Sequence, residues 1–124
     1  GVLVSVACET DFVAATDQFK NFVHELALQV AATAPRYLLP EQVPSAVIAK
    51  EKEIYREQLA NEGKTGEIAE KILEGKLNKF YSEVCLLKQP YIKDDKITIE
   101  QLLVENIARI GENIQIKEFV RFSL

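Results

Sequence analysis

The pattern of apolar and polar positions changes period along the chain and divides it into elements. Residues 1–8, GVLVSVAC, alternate: Val2, Val4, Val6 and Cys8 fall on one face, Leu3, Ser5 and Ala7 on the other. Alternation with β-branched residues predicts a strand, and two fairly apolar faces place it inside a sheet rather than at an edge. From Thr16 the period becomes helical, with Phe19, Phe22, Val23, Leu26 and Val30 on one face. Asp17, Lys20, Asn21 and Glu25 point away from that stripe. Thr16 or Asp17 suits the cap, and Pro35 stops this first helix. After the connection RYLLPEQVP, Pro44 fits the first turn of a second helix over about 44–62. Its inner stripe is Val47, Ile54, Tyr55 and Leu59, and Gly63 ends it in the left-handed conformation.

A third helix, about 65–84, carries the strongest pattern: Ile68, Ala69, Ile72, Leu73, Leu77, Phe80, Tyr81 and Val84, with Glu67 and Lys71 able to pair outside. The short NEGKT connection makes helices two and three an antiparallel hairpin. CLLKQPYIKDD (85–95) breaks the period at Pro90, with KDD read as a charged turn. Thr98 and Gln101 form a capping-box signature for a fourth helix, with Leu102, Leu103 and Ile107 inward and Gly111 as its stop. The last stretch alternates again: Ile114, Ile116, Val120, Phe122 and Leu124 share a face, interrupted only by Glu118. It reads as one long strand.

The order β-α-α-α-α-β predicts an α+β fold, with helices packed on a small antiparallel sheet in a single domain over residues 1–124. Two strands alone make a marginal sheet. Either further strands precede Gly1, or the terminal strands pair and rest on the helices; the two-sided first strand favours the former. The chain begins with Gly1 rather than Met, which reads as a fragment or a processed product.

Composition adds exclusions. With 48% apolar and 27% charged residues the chain is of ordinary globular type. No apolar run approaches the roughly 20 residues of a membrane span. A net charge of −4 argues against nucleic acid as the main partner. Cys8 and Cys85 lie outside any metal-ligand spacing and read as reduced, buried thiols.

Groups for catalysis are scarce. His24 reads as a flanking or packing histidine. Glu9, Asp11 and Asp17 could gather around a metal, but three carboxylates at a strand–helix junction are more simply a solvated cluster. Five glycines are scattered singly, so there is no phosphate loop. The expectation is a protein that is not an enzyme and uses no cofactor or metal. What remains is ETDFVA (9–14), an acidic connection with an aromatic tip. Phe12 is either a staple folded into the core or an exposed contact for a partner. Pattern leaves the two open.

These segments resemble a known family. GVLVSVACETDFVAATDQF, KILEGKLNKFYSEVCLLKQPYIKDD and RIGENIQIKEFVRF are similar, in order, to the signatures and closing strand of the bacterial and organellar elongation factor Ts family. The resemblance implies a guanine-nucleotide exchange factor for elongation factor Tu in translation elongation, bacterial cytoplasmic or organellar in location. Carried over, Thr10, Asp11, Phe12 and Val13 would be the stretch inserted beside the partner's magnesium site. Phe12 would enter an apolar cleft, and Asp11 would disturb the groups that hold the ion. The chain would be the family's core domain, without its N-terminal helical module and without the strand that leads into GVLV. Ala7 stands where the family commonly has asparagine. The alternative is a noncatalytic scaffold or oligomerisation domain. The hairpin is open to three roles: support, a second partner surface, or homodimer formation.

Overall fold

The change of period after residue 8 marks the first corner of the fold. The computed structural model describes all residues 1–124. Strand β1 (Val2–Ala7) runs into a single helical turn α1 (Asp11–Ala14) and then helix α2 (Asp17–Thr33). A 3-10 turn at Pro40–Gln42 leads to the hairpin helices α3 (Ser45–Asn61) and α4 (Gly66–Val84). A second 3-10 turn at Leu86–Lys88 precedes the short strands β2 (Pro90–Tyr91) and β3 (Asp94–Thr98). Helix α5 (Ile99–Ile110) and strand β4 (Gln115–Arg121) close the chain. The architecture is α+β, with two antiparallel two-stranded sheets, β1–β4 and β2–β3.

The terminal strands pair with each other and rest on the helices. β1 has no second neighbour within these residues, and its outer face stays in solvent: Leu3 is 69% exposed. Within residues 1–124 it is the second arrangement, paired terminal strands resting on helices, that is seen. Val2, Val4 and Val6 do form the inner face, packed against the main core.

The closing strand needs a second correction. Ser5 pairs with Glu118 but Val6 pairs with Ile116, so Lys117 is an extra residue in β4 and forms a bulge. A bulge reverses the side-chain phase. Ile114 and Ile116 point inward as expected, but beyond Lys117 the inward residue is Phe119. Val120 and Phe122 are exposed on the other face. Glu118, the apparent interruption in the alternation, marks the outward side of that shift.

Helix signals translated directly. Thr16 caps α2 by accepting from the Phe19 N–H at 3.3 Å, and Thr98 with Gln101 forms the capping box of α5. Gly111 ends α5 at φ 83°, and Gly63 follows α3 at φ 75°. Helix α2 ends on Ala34, which holds the left-handed conformation at φ 47° just before Pro35. The hairpin stripes were overdrawn: Ile54 and Ile68 are exposed, and only Leu59, Leu73 and Phe80 of α3 and α4 are buried. Glu67 and Lys71 do not pair; Glu70 faces Arg56 of α3 at 4.0 Å instead.

The hairpin base is tied to the body through backbone. Arg36 and Tyr37 N–H both donate to Val84 C=O, while Leu86 N–H donates to Tyr37 C=O at 2.8 Å. Val43, Phe80 and Cys85 form a small core there, and burial raises the Cys85 thiol pKa.

The second sheet escaped the sequence reading, which took KDD for a turn. In the structure Ile92 and Lys93 form the turn and Asp94 begins β3, pairing with Tyr91. A buried polar group holds this hairpin to α2. Gln29 Nε2 donates to Gln89 Oε1 (3.2 Å) and Pro90 C=O (3.0 Å), and its Oε1 accepts from Ile92 N–H at 2.9 Å. Gln89 Nε2 donates to Glu83 C=O at 3.0 Å. Every buried side-chain polar atom has a partner, so the group stabilises rather than strains the core. At its rim Glu25 accepts from the Tyr91 hydroxyl (2.8 Å) and Lys93 Nζ (2.6 Å).

Candidate functional site: the turn between β1 and α1

The residues of ETDFVA fold as one capped helical turn rather than an open loop. Thr10 is extended (φ −132°, ψ 150°), and its hydroxyl oxygen accepts from Val13 N–H at 3.2 Å. This is an ordinary N-cap, which satisfies a donor that a helix start leaves unpaired. The turn then ends against the next cap: Thr16 Oγ1 donates to Val13 C=O at 2.7 Å while accepting from Phe19 N–H. Two threonine caps within seven residues fix the path from strand to helix.

That path sends adjacent side chains in opposite directions. Val13 is 9% exposed and joins the main core, whereas Phe12 is 84% exposed. The staple is thus Val13, and the Phe12 ring projects into solvent. Asp11 is exposed beside it as the first residue of the turn. Thr10 turns its hydroxyl into the structure. Of the four residues singled out by sequence, two face out and two secure the turn.

The other candidate ligands are not gathered. Glu9 uses its carboxylate to accept from Asn113 N–H at 3.2 Å, while Asp17 opens the separate helix α2. No three Asp, Glu, His or Cys side chains converge anywhere in the chain. His24 is exposed on α2 rather than packed. Both thiols are free; Cys85 is fully buried, and half-buried Cys8 donates to Thr10 C=O at 3.3 Å.

One residue of this site escaped the sequence reading. Glu112, just after the left-handed Gly111, reaches back across the end of the β1–β4 sheet. Its Oε1 accepts from the N–H groups of Glu9 and Thr10, both at 3.1 Å, and its Oε2 accepts from the Thr10 hydroxyl at 2.7 Å. The available signal was the glycine stop followed by an acid in GEN (111–113). Nothing in the periodicity says where that acid points. The helices offer no membrane-crossing segment: none is long and apolar enough.

Comparison with known proteins supplies the context. The family model described as Elongation factor TS matches residues 23–124, a stretch that begins after the candidate turn. Among curated proteins named Elongation factor Ts, the one from Carboxydothermus hydrogenoformans is 57% identical over 124 residues, covering 100% of this chain and 57% of the relative. That of Coprothermobacter proteolyticus is 59% identical over 124 residues, 100% of this chain and 63% of the relative. That of Koribacter versatilis is 51% identical over 124 residues, with 57% of the relative covered. The chain thus spans about three-fifths of the length of these relatives, and the aligned part includes the turn at 9–14.

Proposed function

The chain belongs to the elongation factor Ts family, and we propose that it is the core of a guanine-nucleotide exchange factor for elongation factor Tu, acting in translation elongation in the bacterial cytoplasm. It works by binding, without bond chemistry of its own. The observation that carries this reading is Phe12: a large apolar ring 84% exposed on a doubly capped turn. A soluble protein gains nothing for its own stability from such a ring, whereas a rigid apolar projection loses little conformational freedom on docking.

In the mechanism, Phe12 enters an apolar cleft of the partner's nucleotide domain and Asp11 comes to lie beside its magnesium site. Thr10 and Val13 hold the pair at the required angle. Factor and magnesium–nucleotide compete, so each weakens the other's binding by the same free energy. Burying one phenylalanine side chain supplies about 1.5–3 kcal/mol, one to two decades in an equilibrium constant. Larger accelerations require a further contribution. The carboxylate of Asp11 supplies it by weakening the ion's hold on the phosphate charges.

The test is stopped-flow release of fluorescent GDP from elongation factor Tu with increasing amounts of this chain. The expected result is accelerated release that Phe12→Ala largely abolishes while thermal stability is unchanged. Absence of acceleration by the unsubstituted chain overturns the reading. A second reading, self-association without exchange, is favoured by the exposed Leu3, Val120 and Phe122 on the outer face of the β1–β4 sheet. It predicts a concentration-dependent dimer in sedimentation that Leu3→Ser disperses.

A further inference from the structure

We propose that Glu112 is a positioning residue for the Asp11–Phe12 pair: a latch that sets the turn's orientation and so its competence in exchange. The proposal rests on the exchange reading above and goes beyond it, because it assigns a role to a residue about 100 positions away in sequence. One carboxylate takes three donors from the turn, the Glu9 and Thr10 N–H groups and the Thr10 hydroxyl. The turn answers with one acceptor of its own, since Glu9 Oε1 receives Asn113 N–H at 3.2 Å. The two segments are therefore cross-linked in both directions, just beyond the last backbone pair of the sheet, Ala7 with Gln115.

The geometry explains why glutamate serves here. Three donors need two acceptor oxygens, and an ionised carboxylate offers both without a competing proton. Asp lacks the methylene that spans the gap. Gly111 sets the approach: at φ 83° and ψ 12° it ends α5 and turns the chain so that residue 112 faces the turn. Thr10 Oγ1 is shared between the two devices, donating to Glu112 while accepting from Val13 N–H. Latching and capping are thus one arrangement. When Glu112 is lost, the Thr10 hydroxyl is free to rotate and the first turn of α1 loses its fixed entry angle.

Glu112 is only half-buried, so water replaces its bonds when it is removed and the core is left intact. The latch therefore controls geometry more than stability, and this separates it from a purely structural link. The experiment compares the unsubstituted chain, Glu112→Ala and Glu112→Gln in fluorescent GDP release from elongation factor Tu, with amide hydrogen exchange on the free proteins. Glu112→Ala is expected to lower the maximal release rate on the order of tenfold, in keeping with loss of charge-assisted hydrogen bonds that orient a contact. The Glu9 and Thr10 amides should lose protection while those of α2 keep theirs. Glu112→Gln retains an oxygen for the two N–H donors but loses the second acceptor and the charge, and should restore the rate only in part.

If Glu112→Ala releases nucleotide at the unsubstituted rate, or if its Glu9 and Thr10 amides stay protected, the latch is overturned. A rate loss accompanied by loss of α2 protection also overturns it, because the defect is then in the fold. If the unsubstituted chain accelerates nothing, the exchange reading fails and takes this role with it, an outcome distinct from the others.

Discussion

The body of the molecule and its helical hairpin are built from sequence of similar periodicity, yet they are held together in different ways. In the body, α2 and α5 pack with the β1–β4 sheet around a cluster of 12 buried residues. In the hairpin, Leu59 and Leu73 are buried but belong to neither hydrophobic cluster, and Ile54 and Ile68 reach solvent. Two helices facing only each other cover half of each apolar stripe; a helix on a sheet with a second helix behind it covers nearly all. Both regions carry amphipathic helices, with the weakest pattern along α3, and the stability such a pattern delivers depends on how many partners surround it.

The largest test of this difference is truncation of a buried leucine in each region. Leu26→Ala is expected to cost about 3–4 kcal/mol of global stability in denaturant unfolding, near the middle of the range for a fully enclosed leucine. Leu73→Ala should cost about 2 kcal/mol, with accelerated amide exchange confined to α3 and α4. Equal costs would break the comparison. Next, Gln29→Leu strips the body of its buried polar tie and removes the partner of Ile92 N–H and of Pro90 C=O, while Gln89 Oε1 keeps the Thr33 hydroxyl. A loss of about 2 kcal/mol in the same assay is expected.

Helix ends offer a smaller and opposite test. In the body, α2 ends on Ala34 in the left-handed conformation; in the hairpin, α3 is followed by a glycine in that role. Ala34→Gly should therefore stabilise by about 0.5–1 kcal/mol and Gly63→Ala destabilise by a similar amount, read as opposite shifts in Tm.

The smallest effect lies at the body's rim. The Lys93 ammonium, with the Tyr91 hydroxyl, holds the Glu25 carboxyl below its usual pKa despite partial burial. The folded pKa is depressed, so the stabilisation is present above the unfolded value near 4.3 and is lost as pH falls through the folded one. Glu25→Gln should cost about 0.5 kcal/mol at pH 7, the scale of a half-exposed ion pair. Its unfolding curve should merge with that of the unsubstituted chain once pH falls below the folded value. Burial, and then the same carboxylate, push the Tyr91 hydroxyl up to about 12. The Tyr91 contribution is therefore intact below pH 10 and lost as pH rises toward 12.

Sequence alone determined the elements whose signals are local. The helical stripes, the Thr16 and Thr98 caps, the Gly63 and Gly111 stops and the antiparallel hairpin all follow from contacts within a few residues. Such contacts are encoded wherever the right residues stand at the right spacing. Family signatures in the same residues pointed to Thr10–Val13. Tertiary structure decided everything that turns on a distant partner. The Lys117 bulge moved Phe119 inward and Val120 outward because register is a property of two strands, not one. The β2–β3 hairpin exists because Gln29 and Glu25 of α2 hold it, and its own residues show little strand pattern. The choice between Phe12 as staple and as projection rested on one turn of helix, which makes Val13 the residue that reaches the core. Glu112 could be found only once the chain ends were brought together: its bonds to the turn cross more than 100 residues, and no spacing rule operates over that separation.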